Sequence, residues 1–161
     1  MILTGNEIRK QLKQGNIIIR PFFDSQINPN SYNYRIGEEL IDLEINKQIK
    51  IPKEGYVLKP HITYLASTYE TLGSTKYAMS LIGRSSIGRL GLFLQVSANL
   101  GHTGSCHKWT LELVSTKPFR IYPNMVIGQI SFWVNKGRID PYLKGYSKYD
   151  SPKRSKLEVQ A

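Results

Sequence analysis

A chain of 161 residues, 40% of them apolar, is long enough for one domain with one core and needs no disulfide staples. Its net charge is +10, from 22 Lys and Arg against 12 Asp and Glu. Such a field draws anions, whether nucleic acid, a membrane surface or a polyphosphate ligand, or it is no more than a soluble basic surface. A single cysteine, Cys106, excludes an internal disulfide and a multi-cysteine zinc site, and no apolar run reaches the roughly 20 residues of a membrane span. The first residues, MILTGNEIRK, turn polar and charged at once, unlike a signal peptide, so a reducing cytoplasm is the simplest compartment to expect.

Thr4-Gly5-Asn6-Glu7 reads as a capping box, with Leu3 and Ile8 placed for a hydrophobic staple and Gly15 able to end the helix. A short helix is expected over residues 4–14. The signal then turns to strands. Ile17-Ile18-Ile19 is a β-branched run, and Ile51 to Gly55 reads as a turn feeding a strand over Tyr56-Val57-Leu58. Further strands are expected at Tyr64 to Thr68, Tyr77 to Ile82, Phe93 to Ser97, Trp109 to Val114 and Val126 to Val134. Short strands separated by Gly, Pro and Asn predict a mainly β fold, a barrel or a sandwich. Residues 1–135 form the expected domain. Residues 136–161 are polar and carry Lys136, Arg138, Lys144, Lys148, Lys153, Arg154 and Lys156. That tail is either a solvated end or a lid that orders on an anionic ligand.

The densest polar stretch is Gly83-Arg84-Ser85-Ser86-Ile87-Gly88-Arg89-Leu90-Gly91-Leu92. Two hydroxyls and two guanidiniums after a strand suit phosphate, because backbone N–H groups at a strand-to-helix turn add to their donors. The GxxxxGK[ST] pattern of a P-loop is absent, and a polar turn capping a short helix is the plainer alternative. In Trp109-Thr110-Leu111-Glu112-Leu113-Val114, period-2 alternation puts Glu112 on one face with Thr110 and Val114. A strand carboxylate on such a face often meets solvent; one facing a cleft is suited to general acid/base work. His102, Cys106 and His107 match no common zinc spacing. The H-x-E and P-C-x-x-C signature of the zinc nucleobase deaminases is missing.

Three separated segments together resemble the dCTP deaminase family of the dUTPase-like superfamily. Ile27-Asn28-Pro29-Asn30-Ser31-Tyr32-Asn33-Tyr34-Arg35-Ile36-Gly37 is similar to its "INPxSYDLRLG" segment. Gly83 to Leu92 is similar to "GRSSLxRLGL". Val96-Ser97-Ala98 through Leu111-Glu112-Leu113 resembles the "V-T-A … LE" segment, with equal spacing from the Ala to the Glu. More weakly, Pro141-Tyr142 and Lys148-Tyr149 resemble the "PY … KY" of the family lid. The resemblance implies a distorted dUTPase-like β-barrel with a short N-terminal helix and small helical turns, assembled as a homotrimer with sites at subunit interfaces. It implies that Glu112 shuttles protons and that Ser85, Arg89 and the backbone of Ala98 surround the base and the attacking water. Arg84, Ser85 and Ser86 would bind phosphate, and Tyr142 and Lys148 would close over the triphosphate. Mg²⁺ is expected on the nucleotide phosphates and no zinc in the protein.

The family pattern is broken at several positions. Asn33 stands for an Asp near the barrel interior, and Pro152 for a Gln of the lid. Leu100 stands where an Arg is frequent, and Ser105-Cys106-His107 replaces the usual aromatic and glycine features. His102 stands for an Asp that contacts the sugar 3′-hydroxyl. These changes concentrate on sugar and lid recognition and spare Ser85, Arg89, Ala98 and Glu112. The expected activity is therefore metal-independent hydrolytic deamination of a cytosine nucleotide, dCTP giving dUTP and ammonia. Cleavage of the phosphates is disfavoured, since His102 replaces a carboxylate. A deaminase of an altered cytosine nucleotide and a nucleotide-binding protein without turnover are the alternatives. A basic nucleic-acid-binding barrel is permitted by the charge but lacks a recognition helix or exposed aromatics among the basic residues.

Overall fold

The computed structural model describes residues 1–95, 98–142 and 151–154. The first element is helix α1, Gly5–Lys13. The Thr4 hydroxyl accepts the Glu7 N–H at 3.4 Å, and Leu3 and Ile8 are both buried beneath the helix. At the other end the Asn16 N–H donates to the Gln11 carbonyl and the Gly15 N–H to the Leu12 carbonyl, both at 3.0 Å. This Schellman closure needs the left-handed backbone that Gly15 supplies at φ +75°.

Strands follow in the order β1 Ile17–Arg20, β2 Tyr32–Asp42, β3 Lys47–Lys50, β4 Tyr56–Leu58, β5 Thr63–Thr68, β6 Thr71–Ser74 and β7 Tyr77–Gly83. A single helical turn, α2 Ser85–Gly88, leads to β8 Leu92–Leu94, β9 Leu100–Gly101, β10 Cys106–His107, β11 Thr110–Ser115, β12 Phe119–Ile121 and β13 Val126–Val134. The main sheet runs β8-β11-β5-β2-β13-β7-β9, with β3 also on β2; β1-β6-β10 and β4-β12 form two smaller sheets. The fold is mainly β, as expected. Among the described residues no helix is long and apolar enough to cross a membrane.

Strand β2 curls the sheet. Its first half, Tyr32 to Arg35, pairs with β13, and its second half, Leu40 to Asp42, pairs with β5, with a register shift between. A bulge of this kind bends a strand and lets one sheet wrap a core. Tyr32, Tyr34, Ile36 and Leu40 are fully buried there with Tyr64, Leu111, Leu113, Ile130 and Phe132. The Tyr34 ring lies against Gly128, where any Cβ would collide with it. Its hydroxyl donates to the Ile82 carbonyl at 3.1 Å, and burial pushes the Tyr34 phenol up. Burial, and secondly the Glu70 charge, push the Tyr32 phenol up to about 12.

Glu70 is fully buried and paired with Arg35 at 2.8 Å. The Arg35 guanidinium lies 4.3 Å from the Phe23 ring centroid and 4.5 Å from that of Tyr69. This stack fastens the loop after β1 to the barrel. Asn33, the departure in the first motif, is buried and accepts from the Asn28 amide at 2.8 Å. Its amide serves a structural contact inside the barrel.

Candidate active site

Strand β11 carries the site. Leu111, Leu113 and Ser115 are buried while Thr110, Glu112 and Val114 are half-buried, the alternation the sequence predicts. The strand lies between β5 and β8, with Glu112 opposite Leu65 and Leu113 opposite Leu94. Thr110 and Glu112 line a cavity of about 580 Å³. Thr63 and Leu65 of β5 form one wall; Ala98, His102, Ser105, His107 and Trp109 form another. Among the described residues Glu112 is the one carboxylate lining it.

The second wall is aromatic and ordered by hydrogen bonds. Trp109 donates its indole N–H to the Leu72 carbonyl at 2.9 Å. The His107 ring stacks on it at 4.3 Å, with Nδ1 2.8 Å from the Lys108 carbonyl. The His102 ring packs 5.2 Å from that of Tyr142, and the Tyr142 N–H donates to the Thr103 carbonyl at 2.8 Å. Among the described residues no three His, Cys, Asp or Glu side chains gather as a metal-binding group.

Part of the tail lies at the cavity mouth. Lys153 and Arg154 line it. The Lys153 N–H donates to the Thr110 hydroxyl at 3.2 Å, and the Arg154 guanidinium to the Asn46 carbonyl at 3.0 Å. Pro152 is buried in a neighbouring groove with Tyr69 and Lys108. Lys148 lies outside the described residues.

The structure therefore brings Ala98, His102, Glu112 and Tyr142 together and leaves a second group apart. Ser85, Ser86 and Arg89 are exposed, Arg84 is half-buried, and none of the four lines the Glu112 cavity of its own chain. The turn that bears them is anchored by buried Ile87 and by the Arg84 N–H on the Ile127 carbonyl at 3.3 Å. Alternation puts Thr110 on the face of Glu112, and both line the cavity. Sequence reasoning missed the placement of Lys153 and Arg154 beside them. The two tail cations had no periodic signal to mark them.

The dCTP deaminase-like family model matches residues 2–135, and the chain belongs to that family of enzymes. It is 43% identical over 155 residues to the dCTP deaminase, dUMP-forming, of Hathewaya histolytica, covering 90% of each chain. It is 42% identical over 155 residues to the protein of the same description from Cytophaga hutchinsonii, covering 90% of this chain and 89% of the relative. The fold is shared with the crystal structure of 2′-deoxycytidine 5′-triphosphate deaminase from Agrobacterium tumefaciens, at a TM-score of 0.71 and 19% identity. That match covers 83% of this chain, which spans 48% of the other. The names of the two sequence relatives end at dUMP, so they do not match the expectation of dUTP as end product.

Proposed function

We propose that this enzyme deaminates dCTP in the cavity lined by Glu112 and carries the nucleotide on to dUMP. The observation that carries the reading is the position of Glu112, the sole carboxylate among the described residues that line the cavity, beside Leu65, Ala98 and Trp109. The chain's identity to proteins described as dUMP-forming dCTP deaminases supports the substrate and the end product.

The chemistry suits these residues. Water adds at C4 of the cytosine while N3 gains a proton, the C4–N4 bond then breaks, and ammonia leaves. One carboxyl beside the ring takes the proton from water and delivers it to the nitrogens. Backbone at Ala98 and the guanidinium of Arg89 hold the water and the developing charge, so the step needs no metal at C4. A second water attacks the α-phosphorus, the bond to the bridging oxygen of the β-phosphate breaks, and pyrophosphate leaves. Lys153 and Arg154 at the mouth suit phosphate oxygens, and the tail is read as a lid on the 1–135 domain. Among the described residues a single carboxylate lines the cavity, so Mg²⁺ would be held on the phosphates and would supply counter-charge there.

Because Arg84, Ser85, Ser86 and Arg89 lie off the cavity of their own chain, the proposal takes the protein as a homotrimer whose neighbouring copies supply them. His102 favours a second reading, in which turnover stops at dUTP because an imidazole stands where the family has a carboxylate.

The test is ammonia release from dCTP, CTP, dCMP, CMP and dUTP with Mg²⁺, with the nucleotide and pyrophosphate products resolved, beside Glu112→Gln. We expect release from dCTP with dUMP and pyrophosphate, reduced on the order of 10²-fold or more in the variant. Accumulation of dUTP selects the second reading. Binding without release, or a fully active Glu112→Gln, defeats the proposal.

A further inference from the structure

Strand β8 pairs regularly with β11 as far as Leu94 opposite Leu113. The next pair is Gln95 with Glu112. In a regular antiparallel ladder the main chain of one residue would both donate to and accept from the other. The Gln95 N–H does donate to the Glu112 carbonyl, at 3.2 Å. At φ +50°, however, the Gln95 backbone leaves the strand. Its side-chain oxygen takes the acceptor's place and receives the Glu112 N–H at 2.7 Å. Both main-chain groups of Glu112 are thus held by one residue.

The nitrogen of the same side chain donates to the carbonyls of Ala98 and Thr110, each at 3.3 Å. Gln95 is buried. A side-chain amide offers two donors and an acceptor, and all of them are engaged here. Their partners, Ala98, Thr110 and Glu112, each line the cavity. A non-glycine residue in the left-handed region is uncommon and persists where its surroundings over-determine it. This network does so, and it spans β11 and the loop that returns from β8.

We infer that Gln95 is a positioning residue for deamination, whose single amide sets Glu112 and the backbone of Ala98 in register with each other. It touches no substrate and acts through the two groups that do. The inference rests on the reading of Glu112 as the acid/base. A mere staple of the fold would lower stability when removed; a positioning residue lowers the turnover of molecules that remain folded.

The experiment compares Gln95→Leu, Gln95→Glu and Glu112→Gln in the full chain, with kcat and KM for ammonia release from dCTP, thermal melting and a pH profile. Gln95→Leu keeps the size and loses every side-chain hydrogen bond. Its kcat is expected to fall about 10- to 100-fold, as a misplaced catalytic group does, with KM moved by less than about three-fold. Gln95→Glu keeps the acceptor for the Glu112 N–H, but its carboxylate cannot donate to Ala98 or Thr110. Its deficit is expected to narrow as pH falls and the carboxyl regains an O–H. Wild-type kcat in folded Gln95→Leu, or a loss confined to KM, overturns the inference. If Gln95→Leu does not fold, Gln95→Glu decides, and a constant ratio to wild type across pH overturns it. Full activity of Glu112→Gln sinks the acid/base reading itself, whereas an inactive Glu112→Gln beside unaffected Gln95 variants sinks the role of Gln95 alone.

Discussion

The turn from Gly83 to Gly91 and the strand from Thr110 to Ser115 are both rich in chemistry, and their surroundings are opposite. The turn holds Ser85, Ser86 and Arg89 exposed and Arg84 half-buried, away from the cavity of its own chain. The strand holds Glu112 half-buried on a cavity wall. One has cations and hydroxyls that do not line the Glu112 cavity; the other lines that cavity with a carboxylate and has no cation on its strand. The difference teaches that the basic turn and the carboxylate cavity are placed apart in this chain; on the proposed reading they are halves of sites that neighbouring copies complete.

The sharpest way to break that comparison is to separate the halves genetically. Arg89→Ala is expected to lose deamination on the order of 10²-fold, as loss of one preorganised donor does. Mixing it with Glu112→Gln under conditions that exchange subunits should restore about a quarter of the wild-type activity, since random association reunites intact halves at that fraction of shared sites. No recovery in ammonia release would mean that both groups serve one chain.

A smaller effect is expected at the tail. Tyr142→Ala removes the ring that packs on His102. An aromatic pair is worth a few-fold in binding, so KM for the nucleotide should rise about three- to ten-fold with kcat retained. A drop in kcat at constant KM would show Tyr142 acting on the chemistry.

The smallest effect concerns the scaffold between the two half-sites. The Tyr32 phenol, near 10 in an unfolded chain, is pushed up to about 12 here by burial and then by Glu70. The folded state keeps its proton longer. Its contribution to stability is therefore whole below about pH 10 and is lost as pH rises through about 12. Chemical denaturation followed across that window should show the loss, reduced in Tyr32→Phe.

Much of the fold was legible. Helix α1, with its Thr4 cap and Gly15 end, and strand β13 at Val126–Val134 follow from local chemistry. Strand β2 carries no strand period in its sequence, because it is buried on both faces along most of its length and shows no alternation. Strands β9 and β10 have two residues each, too short for any period. Strand β6 depends on Gly73, whose missing side chain lets Cys106 approach. Such a contact has no local signature.

By itself the sequence determined the helix, the mainly β character, the family and the face on which Glu112 lies. These rest on caps, periodicity and motif chemistry, which act over a few residues. Tertiary structure alone decided that this face opens on a cavity, that Gln95, just past the end of the neighbouring strand, grips Glu112, and that the basic turn points elsewhere. Each of those depends on which strands become neighbours after the chain has curled, and strand pairing across tens of residues is set by packing of the whole core.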